Sequence, residues 1–307
     1  MAEIRISGIA TDADLERGLA VYNAVHPDDP SSVMEARETE RQSRAFAGFL
    51  AEADGELAGG AHVRLPTYWD LSEGSIYVLE HHRRRGAGRA LLEQLSTWAA
   101  EQSSPTLYSW VADDDEQSLA WAERHGFTER SRQAFVELEL ATFEPRPVSP
   151  PPGVEIVSWA ERPELARGLY EVVCEALPDI PDSEDEKIEP FEEWLSVHME
   201  GPQDDPAGTF VAVADDETVG FAKLSFWDAK PDTPFHDLTG VKRAWRGRGI
   251  ARALKHAQLN WAEEQGYRAL RTAMVDKNEP IRRLNAELGY TPISGRIYLG
   301  RPLAPGA

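Results

Sequence analysis

Apolar residues recur at helical spacing at Ile250, Leu254, Ala257 and Trp261, and again at Ala87, Leu91, Leu95 and Trp98, which predicts one amphipathic helix in each half of the chain. The run GTFVAVADDETVGFAKLSFW places two β-rich stretches around the polar turn Asp215-Asp216-Glu217, and FAGFLAEADGELAGGAHVRL reads the same way, so each half has a hairpin. Strands at 75–79 and 237–241 follow and lead through glycine-containing turns into the two helices. Further strands at 106–111 and 269–275 precede short helices ending at Gly126 and Gly289, and the closing runs AFVELEL and GRIYLGRPL are again β-like. The order in each half is β, helices, ββ, β, α, β, α, ββ. This is a mixed α/β domain.

The two halves are copies. Shifting the chain by 163 residues aligns Val78 with Val241, Arg83 with Arg246, Gly86 with Gly249, Trp98 with Trp261, Asp113 with Asp276 and Gly126-Phe127 with Gly289-Tyr290, without a gap. Nearer the domain starts the offset falls to 161 and then to 152, so the second copy has nine extra residues after its first strand. That stretch carries Asp179, Asp182, Glu184, Asp185, Glu186 and Glu189, and reads as a solvated acidic face or as the lining of an acceptor entrance. Between the copies, FEPRPVSPPPG has five prolines and suits an extended connector. The expected organisation is a domain over 1–142, a linker over 143–153 and a second domain over 154–307.

The chain has 307 residues, enough for two cores, and 53 Asp and Glu against 32 Lys and Arg give a net charge of -21. That balance argues against nucleic acid or an anionic membrane surface as the main partner. No apolar run reaches the roughly 20 residues of a membrane helix. With one cysteine, Cys174, no intrachain disulfide can form. Absence of a signal-like N-terminus adds to this, and a cytoplasmic location is expected. Cys174 itself reads as a small buried hydrophobe.

The densest chemical signal is the stretch Val241 to Lys255. Small residues Gly247, Gly249 and Ala251 leave backbone amides uncovered where a helix opens, which makes a cradle for a diphosphate. Lys242, Arg243, Arg246, Arg248, Arg252 and Lys255 surround it, and no acidic residue occurs from Val241 to Ala262. The first copy keeps Val78, Arg83, Arg84, Arg85, Gly86, Ala87, Gly88 and Arg89 in the same frame. His81-His82 lacks the carboxylate or His spacing of a metal site, and no metal is expected.

Arg-x-x-Gly-x-Gly/Ala opening a helix after a strand resembles the acyl-CoA signature of the GNAT superfamily of N-acyltransferases. Asn278, Ile281, Asn285 and Gly289-Tyr290 resemble the downstream GNAT segment. The resemblance covers nearly the whole chain twice, in a tandem layout similar to that of mycothiol synthases. It implies two GNAT-like domains, each a mixed, mostly antiparallel twisted sheet flanked by helices. The activity implied is transfer of an acetyl group from acetyl-CoA to a primary amine of a small molecule, by direct attack in a ternary complex, with the protein a monomer or homodimer.

In that reading Val241, Arg243, Arg246, Gly247, Arg248, Gly249, Ile250, Ala251, Arg252, Asn278 and Asn285 hold the cofactor, and the Val241 N–H meets the thioester oxygen. Asp237 is the candidate base, with His236 and Glu279 as weaker alternatives. Many GNATs have a tyrosine acid where this chain has Asn285 and Ala122, so no tyrosine acid is carried over. Gly74 aligns with Asp237, Asp115 with Asn278 and Ala122 with Asn285, so the first domain reads as non-catalytic, with 78–89 as a possible second cofactor site. The rival readings are a non-catalytic acyl-CoA sensor and a protein N-acetyltransferase.

Overall fold

A computed structural model describes residues 2–67, 69–181, 183, 187–275 and 277–303. Asp182, Glu184, Asp185, Glu186 and Asp276 lie outside the described residues. The chain forms two compact units, the first comprising Met1–Ser131 with Ile297–Ala307 and the second Arg132–Arg296. No helix among the described residues is long and apolar enough to cross a membrane.

The first unit runs β1 (Ile4–Gly8), α1 (Asp12–Val25), α2 (Val33–Arg41), β2 (Ser43–Ala53), β3 (Glu56–Pro66), β4 (Ser72–Val78), α3 (Ala87–Glu101), β5 (Thr106–Ala112), α4 (Glu116–Arg124) and the start of β6 (Thr128–Glu139). Strands β1 to β4 pair antiparallel in sequence order and β4 pairs parallel with β5. Thr11 and Ser32 start α1 and α2 with reciprocal capping boxes.

The second unit holds the rest of β6, then β7 (Glu155–Ser158), α5 (Ala166–Ala176), α6 (Phe191–His198), β8 (Phe210–Ala214), β9 (Glu217–Trp227), β10 (Lys230–Val241), α7 (Ile250–Glu264), β11 (Ala269–Val275), α8 (Glu279–Leu288) and the start of β12 (Thr291–Pro302). Its sheet repeats the first: β7 to β10 pair antiparallel and β10 pairs parallel with β11. The two sheets are mixed and mostly antiparallel, as expected.

The last strand of each unit comes from the other half of the chain. Residues 133–139 of β6 pair antiparallel with β11. The final residues of β12 lie beside β5, with Ile297 and Leu299 buried in the first unit's core. The division therefore does not follow a cut at 143–153. That segment lies inside the second unit, where Phe143 packs on the core, the Arg146 N–H donates to Asn260 Oδ1 (3.3 Å) and Asn260 Nδ2 donates to the Arg146 carbonyl (2.7 Å). The offset of 163 still relates the swapped strands, because Ala134, Val136 and Leu140 occupy in the second core the places that Ile297, Leu299 and Leu303 take in the first.

Helix α5 lies against β9 with Gly168 at the crossing, where an added Cβ would come 2.2 Å from Thr218 Oγ1 and 2.6 Å from its Cβ. Neither atom is the far end of a flexible chain. Gly168→Ala is expected to destabilise the protein by about 1–3 kcal/mol, read as a lower urea midpoint, because overpacking must move helix or strand. An unchanged midpoint would show that α5 is free to shift. Cys174 on this helix is exposed, contrary to the buried place expected from its apolar neighbours, because Leu169, Val172, Val173 and Ala176 form the inward stripe.

Candidate functional site

Strand β10 ends at Val241, a short turn covers 243–245, and α7 opens after Gly247 (φ +73°) and Gly249 (φ +90°). Those angles suit glycine and penalise residues with a Cβ. No side chain caps the helix, so its first amides stay uncovered. Arg246 folds back to donate from Nε to the Val241 carbonyl (2.9 Å), which ties the turn to the strand end. The Lys242 N–H donates to Val219 on β9 (2.9 Å), so strand alternation turns the Val241 N–H toward the opposite edge. On that edge β10 pairs with β11 only at Phe235–Arg271 and His236–Thr272. Beyond those pairs the two parallel strands part and leave a wedge.

The cradle is less positive than its own sequence implies. Lys242 Nζ lies 2.7 Å from Glu217 and 3.4 Å from Glu171, and Glu175 accepts from the Arg243 amide. Asp179 accepts from Arg243 (2.7 and 2.8 Å) and Arg246 (2.7 Å), and these bonds hold its carboxyl far below the usual range. Arg252 pairs with Glu287, and Arg248 stacks 4.7 Å over the Trp245 ring. Glu171, Glu175 and Asp179 lie far from the turn in sequence, and the local basic run gives no sign of them. Their spacing of four was the available signal, since it places all three on one side of a helix. Asp179 thus belongs to the turn, and Glu189 is buried, with His198 Nε2 3.4 Å from its carboxylate and the Tyr170 hydroxyl donating to its carbonyl (2.8 Å). Neither is part of a solvated acidic face.

Between His236 and Thr239 the register of β10 against β9 slips. Asp237 sits in that bulge with its side chain 48% exposed. Its carboxylate accepts from buried Lys223 (3.0 Å) and from Ser225 (3.1 Å). Desolvation opposes its charge, but the Lys223 ammonium and the two hydrogen bonds outweigh that and hold the carboxyl below the ordinary value. Lys223 also meets Asp204 (2.7 Å) and the His198 carbonyl (2.6 Å).

His236 takes the other side of the sheet and is not available as a base. Its Nε2 is bonded to the Tyr290 hydroxyl, and burial with the nearby Lys255 charge pushes its pKa well below the ordinary value. Lys255 is buried with its Nζ 5.6 Å from the Tyr290 ring centre, and burial brings its pKa down to about 7. His236 Nδ1, Gln258 Oε1 and Asn285 Oδ1 are buried without a hydrogen-bond partner. Asn285 is 1% exposed, so it does not form a polar helix face; Asn278 stands at the start of α8 without capping it. Glu279 is exposed and faces Arg282 and Arg283.

Two stretches of the chain, 15–127 and 166–290, match the model of the acetyltransferase (GNAT) family. The chain belongs to that family. This acetyltransferase is 28% identical over 292 residues to a mycothiol acetyltransferase of Thermomonospora curvata, covering 92% of this chain and 91% of the relative. It is 27% identical over 304 residues to one of Geodermatophilus obscurus, covering 93% and 91%. A GCN5-related N-acetyltransferase from Sphaerobacter thermophilus shares its fold with a TM-score of 0.79 at 22% identity, over 99% of this chain and 97% of that one. A tandem GNAT protein from the clavulanic acid biosynthesis pathway does so with a TM-score of 0.77 at 20% identity, over 99% and 100%.

The acetyltransferase's first unit repeats the turn: Arg83 Nε donates to the Val78 carbonyl (3.2 Å), Arg84 (φ +61°) stands at the place of Gly247, and Gly86 (φ +108°) precedes α3. Arg85 pairs with Asp54 (2.5 Å), and β4 meets β5 only at 72–73 before parting. The residues behind the turn differ from those of the second unit. Strand β4 has no bulge, so Gly74 opposes Val63 as His236 opposes Leu224, and the gapless alignment of Gly74 with Asp237 slips by one. A Cβ on Gly74 would lie 2.9 Å from Leu95 Cδ1, which leaves no room for a side chain. Leu92, Leu95, Ala122 and Phe127 occupy the places of Lys255, Gln258, Asn285 and Tyr290. His81 and His82 lie in a short helical turn with ring centres 4.3 Å apart.

Proposed function

We propose that the protein transfers an acetyl group from acetyl-CoA to a primary amine of a small molecule, by direct attack in a ternary complex within the second unit. The observation that carries this is the wedge between β10 and β11, which opens beside the uncapped start of α7 and has the bulge of β10 in its wall. The uncovered amides from Gly247 to Arg252, with Arg243 and Arg246, suit the diphosphate, and Asn278 and Asn285 suit the amide-rich arm behind it. The residues present fit such a cofactor: the buried Oδ1 of Asn285 has no partner in the protein. When bound, acetyl-CoA supplies the activated acyl group. The Val241 N–H is directed to where oxyanion charge would develop. Asp237, ionised and half exposed, attracts a cationic acceptor and takes its proton directly or through one water.

Thiol release from acetyl-CoA with a broad amine panel tests the reading, and the name of the mycothiol acetyltransferases suggests a mycothiol-related acceptor for that panel. Arg246→Ala removes a charged hydrogen-bonding group from the turn and is expected to weaken CoA binding by roughly 10- to 100-fold in calorimetry, whereas Arg83→Ala leaves turnover unchanged. Tight CoA binding with no turnover on any amine would favour the sensor reading. Equal losses of turnover in the two variants would overturn the assignment to the second unit.

A further inference from the structure

Behind the closed end of the wedge between β10 and β11 lies a buried polar cluster that proton removal by Asp237 does not use. His236 and Thr272 form the last ladder pair before the strands part. His236 opposes Leu224, and Thr272 alternates with Leu270 and Met274, which all pack in the core with Leu259 of α7 and Leu288 of α8. Both polar residues therefore face the α7 and α8 side of the sheet. Lys255 of α7 lies over the ring of Tyr290, whose hydroxyl bonds His236 Nε2. Asn285 of α8 completes the group, with its Nδ2 3.8 Å from Met274 Sδ.

The cluster has a cation and no anion. Among the described residues no carboxylate meets the Lys255 ammonium. The titratable groups that face it are His236 from β10 and Tyr290 between α8 and β12, and burial favours the neutral form of each. The buried Oδ1 of Asn285 has no partner in the protein. A buried charge is costly unless it is paired and hydrogen-bonded. An anion at the end of the wedge would give this lysine the partner it lacks.

The duplication supplies an internal comparison. Leu92 stands in the first unit at the place of Lys255, and Leu95 and Ala122 at those of Gln258 and Asn285, all packed in the first core. The fold therefore has no need of a lysine here. The second unit keeps a destabilising group where leucine fits, the pattern expected where stability is given up for activity.

Resting on the acetyl-transfer reading, we propose that Lys255 supplies the positive charge and the proton for the thiolate that leaves the acetyl group, directly or through one water. The two faces of the sheet divide the proton traffic. Asp237 meets Lys223 and Ser225, which share a face of β9 with Phe221 and so lie on the α5 side. The glycine turn opens α7 on the other side, with Lys255 one turn into the helix. An acyl carbon within reach of Asp237 lies next to the His236–Thr272 pair, between the two. Lys255 Nζ gives its proton to sulfur as the N–C bond forms and the C–S bond breaks with its electron pair on sulfur. The acceptor nitrogen sheds one proton to Asp237 before attack and a second to solvent as the amide forms. The neutral lysine regains a proton from solvent, so one proton is released per turnover. In desolvated surroundings a single charge acts on the sulfur more strongly than it would in water.

The probe is coenzyme A, bound to the full chain, with its thiol titrated by ultraviolet thiolate absorbance in the wild type and in Lys255→Leu. The bound thiol is expected to be about tenfold or more stronger as an acid in the wild type than in the variant. In steady-state kinetics Lys255→Leu is expected to lower kcat by about 10²-fold with KM for the amine unchanged, unlike a change at the base. The residue at this place in the first unit is a buried leucine, so the variant is expected to fold, and its thermal midpoint checks that. Equal thiol acidity in the two proteins, or full kcat in the variant, overturns the proposal even where acetyl transfer is observed. A thiol made more acidic by Lys255, with no turnover on any amine, supports its action on the sulfur and counts against the transfer reading alone. No binding of coenzyme A overturns both.

Discussion

Lys255→Leu should stabilise the protein by about 3 kcal/mol or more at pH 7, measured by urea unfolding, and by little at pH 10.5. Lys255 is 1% exposed, and burial lowers its pKa from 10.5 to about 7. At about 1.4 kcal/mol per tenfold, that difference corresponds to roughly 5 kcal/mol of cost to the folded state. The pH dependence has a definite sign. Between about pH 7 and 10.5 the unfolded chain binds more protons at this residue than the folded one, so wild-type stability rises with pH and approaches that of the variant. The penalty is fully present below pH 7 and gone above the unfolded pKa. His236 and Tyr290 face the lysine, and neither offers a negative charge at neutral pH, since burial keeps the histidine neutral and raises the phenol. A gain that did not change with pH would show that Lys255 keeps its ordinary pKa in the folded protein, charged in both states and held by a partner. The matching residue in the first unit is Leu92, also buried, which shows that leucine suits this place in the fold.

Asp237→Asn should lower kcat by about 10²- to 10⁴-fold, the usual contribution of a positioned proton acceptor, with CoA affinity unchanged. Asparagine keeps the shape of the side chain and can still accept from Lys223 and Ser225, so the bulge is preserved. The variant loses the negative charge that draws an ammonium acceptor and the oxygen basicity that removes its proton, so KM for the amine should rise as kcat falls. Steady-state kinetics with the best substrate of the amine panel decides the matter. Full activity in a folded Asp237→Asn would remove this carboxylate from the chemistry.

Much of the architecture was legible because the chain states it twice. The helical stripes at Ala87 to Trp98 and Ile250 to Trp261 became α3 and α7, and the two glycine turns adopt the left-handed angles that glycine permits. What escaped was long-range. Swapped strands have the same local pattern as unswapped ones, so AFVELEL and GRIYLGRPL could not reveal which sheet they join. Of the turn's acidic partners, Glu175 and Asp179 lie 64 to 68 residues upstream of the residues they bind and Glu171 lies 71 upstream of Lys242. The bulge at Asp237 takes up one of the two residues by which the repeat offset grows from 161 at the hairpin to 163 at the strand end, and the offsets alone do not say where on the strand that residue sits. Lys255 was counted among the basic residues around the turn, whereas its place behind Ile250 on α7 buries it beside Tyr290.

The exchanged final strands have a consequence for how such a chain can change over time. Each sheet borrows its closing strand from the other copy, through Gln133 to Glu139 in one direction and Ile297 to Leu299 in the other. A gene truncated between the copies would encode two incomplete proteins, each with a raw edge ready to pair with whatever strand it met. Selection that acts on either copy therefore retains both, and the sequence of one can drift toward a new task while its scaffold remains indispensable to its twin.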